Sequence, residues 1–440
     1  MHESDPKKIV TLAYLCILMK KKDIEIMAPV GSWESLYAAI LGGADSVYFG
    51  VEQLNMRARS SGNFTVDDLP QIAAICRENN LKSYLTLNVI VYDNEIELMH
   101  KIVDTAVNSG ISAIIATDQS AILYARKSGM EVHLSTQLNI SNSSSLEFYS
   151  SWADVAVLAR ELNLEQVRNI YETILSKNIK GPSGEFVRLE MFVHGALCMA
   201  ISGKCYLSLH ENNASANRGN CFQTCRKGYT VTEKESGNQI DIENEYIMSP
   251  KDLCTIGFLD QIINSGARVL KIEGRARGPE YVKTVCSCYR EAADAVSEGT
   301  FSEEKVAEWT KRLSTVFNRG FWNGYYLGQR LGEWSTTYGS SATKRKIYLG
   351  KITNYFRKLG VAEIKLETGD LEKGETILIT GPTTGVIETI VSELRDENEN
   401  PAEKVLKGTL CSVPSSSLLR RSDKVFKWVD AETVKKNLQR

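Results

Sequence analysis

Proline is scarce in this 440-residue sequence, nine residues against 31 glycines, and no uninterrupted apolar run approaches the ~20 residues that span a bilayer. Charge of one sign is missing as well. The 52 Lys and Arg against 54 Asp and Glu leave a formal net charge of −2, so no global positive field marks a protein that coats nucleic acid. With 43% hydrophobic and 24% charged residues, the chain is not disordered, collagen-like or of low complexity. It has no HExxH zinc motif, no GxSxG nucleophile elbow and no internal repeat. Ten cysteines are too few for a disulfide scaffold of this length. Five of them, Cys198, Cys205, Cys221, Cys225 and Cys254, nevertheless crowd into one stretch, which points to metal binding or catalysis.

The apolar run Ile9 to Met19 is closed by Lys20, Lys21 and Lys22 with no small-residue cleavage site behind it, so it is not read as a signal peptide. Met19 reads as a natural start, and residues 1–22 as an N-terminal extension. A cytoplasmic location is expected.

Short β-branched runs then alternate with amphipathic stretches. Ile24–Pro29, Ser46–Gly50, Ser83–Val89, Ala113–Thr117, Glu131–Thr136, Asp154–Arg160, Leu189–Gly195 and Val269–Gly274 read as eight strands. Val66–Asn80, Glu95–Asn108, Leu164–Ser176 and Glu280–Ser297 read as helices. This α/β alternation predicts right-handed parallel crossovers and, with eight repeats, a (β/α)8 TIM-like barrel over residues 23–340. The crossover from the seventh strand to the eighth is long enough to carry a Cys-rich insertion at about 196–255, on the face where such barrels place their active sites. Beyond 340 the helical period fades. Ile347–Ile352, Leu359–Leu366, Glu375–Thr380, Gly385–Val391 and Lys424–Trp428 predict a small C-terminal all-β barrel domain over 341–430, with a tail at 431–440 holding the helix Ala431–Leu438.

The insertion reads Cys198-x6-Cys205-x15-Cys221-x3-Cys225-x28-Cys254. Thiolates suit soft metals, and four can hold an iron–sulfur cluster or a zinc ion. Zinc sites pair cysteines two to four residues apart, twice over, and only Cys221 and Cys225 fit that spacing. Iron–sulfur is therefore favoured, zinc is the alternative metal, and one cysteine is surplus. Cys76, Cys286 and Cys288 lie in helical stretches and read as core, and Cys411 falls in the C-terminal β domain.

The segments Glu190–Cys198 (EMFVHGALC), Ser202–Ser208 (SGKCYLS), Ser215–Arg226, Met248–Cys254 (MSPKDLC) and Leu270–Arg275 (LKIEGR) together resemble the signature of the peptidase U32 family, the collagenase-like proteins. The resemblance runs from about Ile24 to the C-terminus. Despite the family name, its implication is an iron–sulfur hydroxylation protein working without molecular oxygen, on tRNA wobble uridine, on a ribosomal RNA cytidine or on a ubiquinone precursor. A barrel plus one short β domain is similar to the branch that 5-hydroxylates tRNA uridine and requires prephenate. By the same resemblance Cys198, Cys205, Cys221 and Cys254 would ligate a [4Fe–4S] cluster, with Cys225 the rival for one place.

Other candidates follow from position. His194, four residues before Cys198, is a candidate proton donor. Arg160 and Glu161 end the sixth strand, and Lys271, Glu273 and Arg275 the eighth. Arg57 and Arg59 follow the second. Guanidinium forks suit a dicarboxylate such as prephenate, so Arg57, Arg59 and Arg275 are assigned to that co-substrate. Asn88, Gln137 and Asn139 are candidates to orient it. Arg226-Lys227, Lys344-Arg-Lys346 and Arg420-Arg421 are candidate contacts for tRNA phosphates. A peptidase using Cys198 or Cys205 with His194 is the alternative. It needs one cysteine where the segment supplies five. Hydroxylation of another RNA or of a small aromatic substrate is a further alternative.

Overall fold

A computed structural model describes residues 23–438 except 60–61, 238, 241–247, 330–331 and 337–338. The expected extension, with Cys16, lies outside the described residues.

Eight parallel strands close into a barrel: β1 (Glu25–Pro29), β2 (Ser46–Phe49), β3 (Lys82–Leu87), β4 (Ala113–Ala116), β5 (Glu131–Leu134), β6 (Val155–Val157), β7 (Arg188–Ala196) and, after the insertion, β11 (Ala267–Ile272). β11 pairs in parallel with both β1 and β7, which is the closure. Helices α1 (Trp33–Leu41), α2 (Leu69–Glu78), α3 (Ile96–Ser109), α4 (Gln119–Lys127), α5 (Ser143–Tyr149) and α6 (Leu164–Lys177) fill the crossovers. Their starts follow local chemistry. Ser32, Asp118, Asn142 and Asn163 each accept a backbone N–H of the first turn, so the chain turns into helix soon after leaving each strand.

The crossover after β7 carries α7 (Leu207–Asn212), the hairpin β8 (Val231–Thr232) and β9 (Gln239–Ile240), then β10 (Asp252–Cys254) and α8 (Leu259–Asn264). β10 runs antiparallel to the end of β7 and extends the barrel wall above its rim, with β12 (Phe321–Trp322) beyond it. α9 (Pro279–Ser297) follows β11. Helix α10 (Glu303–Thr315), announced by the Ser302 cap and two glutamates in its first turn, adds to the expected set.

The C-terminal strands are antiparallel: β13 (Lys344–Phe356), β14 (Val361–Leu366), β16 (Thr376–Gly381), β17 (Gly385–Ile390), β19 (Leu410–Pro414) and β20 (Lys424–Asp430), in the order β17-β16-β20-β13-β14-β19. A separate pair, β15 (Leu371–Glu372) with β18 (Lys404–Val405), completes the domain, and helix α11 (Ala431–Leu438) follows β20. The main sheet ends at β17 and β19, so among the described residues its ladder is open rather than closed into a barrel. One face buries Leu349, Ile364, Ile377 and Val413 in a core of its own. Leu378, Val386 and Trp428 join the barrel's core instead. Sheet and barrel are fastened there by apolar packing and by the Lys346–Glu280 ion pair at 2.9 Å.

Candidate active site

Chain segments at the C-terminal ends of the barrel strands enclose a cavity of about 210 Å³. Its floor is made by Tyr48 of β2, Thr86 of β3, Phe192 of β7 and Lys271 of β11, and its roof by the insertion. Glycines permit the close approaches. Gly195 has φ +103°, and a Cβ there would lie 2.2 Å from the Glu273 carbonyl oxygen. Gly219, at φ +84°, lets the insertion rest on the loop after β2, where a Cβ would come within 2.4 Å of the Asn55 carbonyl oxygen.

Cys198, Cys205, Cys221 and Cys225 all line this cavity. None is in a disulfide. Burial pushes the Cys205 thiol above its ordinary value, and the neighbouring Cys198 and Cys221 add to the shift. Burial pushes Cys225 up to about 11, against the opposing pull of Arg226, with Cys198, Cys221 and Cys205 all contributing. These four thiols therefore sense one another. Cys254 stands apart from them. It lies in β10 opposite His194 of β7, is buried, and feels Tyr289 and Asp252 rather than the other thiols of the insertion. Of the expected set, Cys198, Cys205 and Cys221 line the cavity and Cys254 does not, whereas its rival Cys225 does. Among the described residues no three His, Cys, Asp or Glu side chains are gathered as tightly as one metal ion needs.

The lining is strongly cationic. Among the described residues, Arg57, Arg160, Arg226, Arg275, Arg277, Arg319 and Lys271 face a single carboxylate, Glu273. Arg57 Nη2 donates to Glu273 Oε1 at 2.9 Å, and the Tyr48 hydroxyl reaches Oε2 at 3.4 Å. Burial alone would raise the Glu273 carboxyl, but Arg57, Arg160 and Arg275 outweigh it and hold it at about 2. Arg275 donates from Nη1 to the neutral oxygens of Thr86 (2.8 Å) and Asn55 (3.1 Å), and burial lowers it to about 10. Arg160 donates to the Ala196 carbonyl at 3.1 Å and lies on the Phe192 ring. Arg277 lies on Phe317. Arg226 is consumed in binding the Leu197 and Pro250 carbonyls and Ser249, which ties the insertion to the rim. Among the described residues, Arg160, Arg226, Arg275 and Arg277 have no carboxylate within ion-pair distance, so the cavity is poised for anions.

Several expected residues lie elsewhere. His194 does not line the cavity. A register irregularity at the end of β7 turns its ring outward, where it packs among Tyr281, Tyr289 and Phe321 at centroid distances of 5.9, 5.5 and 5.7 Å. Burial, aided by Arg277, lowers it to about 3, so it is neutral and shielded. Glu161 is exposed and outside the cavity, and Arg59 is exposed and stacks on Phe222 at 3.7 Å. Gln137 lines the cavity, and among the described residues its side-chain oxygen has no partner. Asn88 also lines it and accepts the Met56 N–H. Asn139 instead holds the insertion through the Ser202 carbonyl at 3.2 Å. Of the basic runs, Lys344 and Lys346 pair with Glu388 and Glu280. Tyr48, Asn55, Thr86, Arg277 and Arg319 also belong to the site and carry no motif that marks them in the sequence. Only a folded barrel reveals that they share a site.

A family model for peptidase family U32 matches residues 31–336. The chain belongs to that family. It is similar to "Collagenase" of Porphyromonas gingivalis strain W83, 61% identical over 410 residues that span 93% of this chain and 99% of that one. It is also similar to "tRNA hydroxylation protein P1" of Bacillus subtilis, 30% identical over 87% of this chain and 90% of that one. The "23S rRNA 5-hydroxycytidine C2501 synthase" of Escherichia coli is 34% identical over 70% of this chain and 46% of its own length. Among the described residues, no helix of this U32 protein is long and apolar enough to cross a membrane.

Proposed function

We propose that this U32 protein is an RNA-modifying enzyme that installs a hydroxyl at C5 of a tRNA wobble uridine without molecular oxygen, with prephenate as the small dicarboxylate it requires. The observation that carries the reading is the meeting of four free cysteines and six arginines in one cavity at the barrel mouth. Cys198, Cys205, Cys221 and Cys225 fit a [4Fe–4S] cluster, which needs four thiolates, and the cation excess offsets the charge those thiolates would bring. Zinc is the alternative metal, but of the four only Cys221 and Cys225 have the close sequence spacing that zinc sites use twice over. When bound, such a cluster would supply redox or Lewis-acid chemistry beside the anion pocket.

This chain's own residues do the rest. Arg275 and Arg57 hold carboxylates, Glu273 fixes Arg57, and Lys271 offers a proton from the floor. Arg160 and Phe192 shape the wall. An RNA would lie across the rim, and the hydroxylation relatives support that substrate class.

The collagenase relatives favour a second reading, a peptidase acting on peptides. It lacks a base. Among the described residues no histidine lines the cavity, so Cys198 and Cys205 have no imidazole partner there.

Mass spectrometry of tRNA nucleosides from a strain lacking the gene tests the proposal. Loss of 5-hydroxyuridine derivatives, restored by the wild-type gene and not by Cys198→Ala, is expected. Nucleosides that stay unchanged, together with cleavage of peptides by the purified protein, would replace the hydroxylation reading with the peptidase.

A further inference from the structure

The cavity has plenty of charge and little capacity to exchange protons. Its arginines stay charged at neutral pH. Glu273 is locked as a carboxylate, and burial beside Glu273 raises the Tyr48 hydroxyl well above its ordinary value. The four thiols are assigned elsewhere. Lys271 remains, and its Nζ bonds to Glu190 Oε1 at 2.6 Å, below the cavity floor and inside the barrel.

From Glu190 a line of titratable groups continues down the barrel interior. Glu190 Oε2 faces His133 Nδ1 at 3.7 Å, and among the described residues neither atom has another partner. Both side chains are fully buried. The other ring nitrogen, Nε2, lies 3.1 Å from Glu131 Oε1, and the Glu131 side chain is 46% exposed at the start of β5, on the opposite face of the barrel from the cavity. β5, β7 and β11 thus supply a row from solvent to cavity: Glu131, His133, Glu190, Lys271.

The other groups packed around His133 are Tyr84 of β3, whose ring lies 4.4 Å away, and Glu25 of β1. Tyr84 donates to Glu25, and Arg188 and Lys82 pair with Glu25 to hold it ionised. That cluster fixes its own protons and leaves the row beside it as the one that can carry them.

We infer that Glu131, His133, Glu190 and Lys271 form a proton path through the barrel, joining the cavity to solvent at the closed end. A proton entering at Glu131 passes to His133 Nε2, while the proton on Nδ1 passes to Glu190. Glu190 passes one to the Lys271 amine, which has given its own to the bound molecule. A ring rotation resets the imidazole. One proton crosses and no electron moves. The path would serve when a macromolecular substrate covers the mouth. His133 is a relay rather than a catalytic residue, since it touches nothing in the cavity.

Two measurements on the full chain test it. The first needs no substrate: exchange of the His133 ring N–H with water, followed by NMR on 15N-histidine-labelled protein and assigned with His133→Gln. A path predicts fast exchange despite complete burial, slowed at least tenfold in Glu131→Gln. A sharp, protected N–H that Glu131→Gln does not change would overturn the proposal. The second rests on the proposed reaction. His133→Gln, folded by its melting curve, should lower kcat for tRNA hydroxylation about tenfold, leave KM for tRNA unchanged and flatten the pH profile. An unaltered kcat and profile would also overturn it. If wild type hydroxylates no tRNA, the proposed reaction fails, and the exchange experiment still decides the path.

Discussion

Replacing Lys271 by Met should destabilise the barrel by about 3–5 kcal/mol at neutral pH, the usual consequence of removing one partner of a buried ion pair. Methionine is close to lysine in length and shape, so most of the loss comes from the ammonium, which also sits 4.7 Å and 5.4 Å from the ring centroids of Tyr48 and Phe192. What disappears is a 2.6 Å contact between side chains 6% and 0% exposed. At an effective dielectric of about 20 its gross attraction is roughly 6 kcal/mol, which brackets the net figure. The sign of the pH dependence follows. In the native protein burial would raise the Glu190 carboxyl, but Lys271 and His133 hold it below the ordinary 4.5, so its contribution is present above that pH and fades as acid protonates it. Without Lys271, burial dominates and the carboxyl is raised instead, so the variant loses stability as pH rises. The gap between the two proteins is therefore widest near pH 7 and narrows by about 1.4 kcal/mol per pH unit once Glu190 takes up its proton. Denaturant midpoints at pH 7 and pH 5, at constant slope, measure it. Adding Glu190→Gln to the variant should recover most of the loss. A gap under about 1 kcal/mol that stays flat with pH would refute the reasoning, since a truly buried pair cannot be that cheap to break.

Other perturbations have equally definite outcomes. Glu25 is held at about 2, because Arg188, Lys82 and Tyr84 outweigh its burial, so its stabilisation is whole above about pH 4.5 and vanishes as pH falls to 2. Arg188→Met should flatten that acid limb in a pH series of melting temperatures, and an unchanged limb would show that Glu25 is not held by Arg188. His194, neutral with a value near 3, stabilises above pH 6.5 and loses that contribution as pH falls toward 3. His194→Gln should be less stable at pH 7 but lose less than wild type on acidification to pH 4; equal losses would contradict the shielded placement. Gly195→Ala forces a Cβ onto the Glu273 carbonyl at φ +103° and should cost about 1–3 kcal/mol. A melting curve matching wild type would mean the strand end can move.

The barrel was legible because period-two apolar runs alternate with helical ones eight times, and each expected strand meets its counterpart within a few residues. β19 is hard to read from sequence because its five residues offer a single short alternation, and α10 because, beyond its Ser302 cap, a mostly polar surface hides Trp309 and Leu313. The cysteine cluster was visible as a spacing. Which four line the cavity was not, because Cys254 and Cys225 differ by which side of the rim the chain passes. β10 turns back along β7 and places Cys254 against Tyr289, behind the strand. A register irregularity decides the fate of His194, and none can be read from composition. Arg226, Arg277 and Arg319 come from three separate segments, and only the docking of the insertion gathers them. Lys271 was found by its place at the end of a strand, but its partner Glu190 lies in the seventh strand and reads from sequence as part of a motif rather than as a buried charge.

The most direct test of the cysteine assignment is iron content and the broad absorbance near 400 nm of anaerobically purified wild type, Cys225→Ala and Cys254→Ala, side by side. Wild type should hold about four irons per chain. Cys225→Ala should lose most of the iron and colour, and Cys254→Ala should keep both. The reverse pattern, or a colourless wild type carrying stoichiometric zinc, would contradict a cluster held by Cys198, Cys205, Cys221 and Cys225.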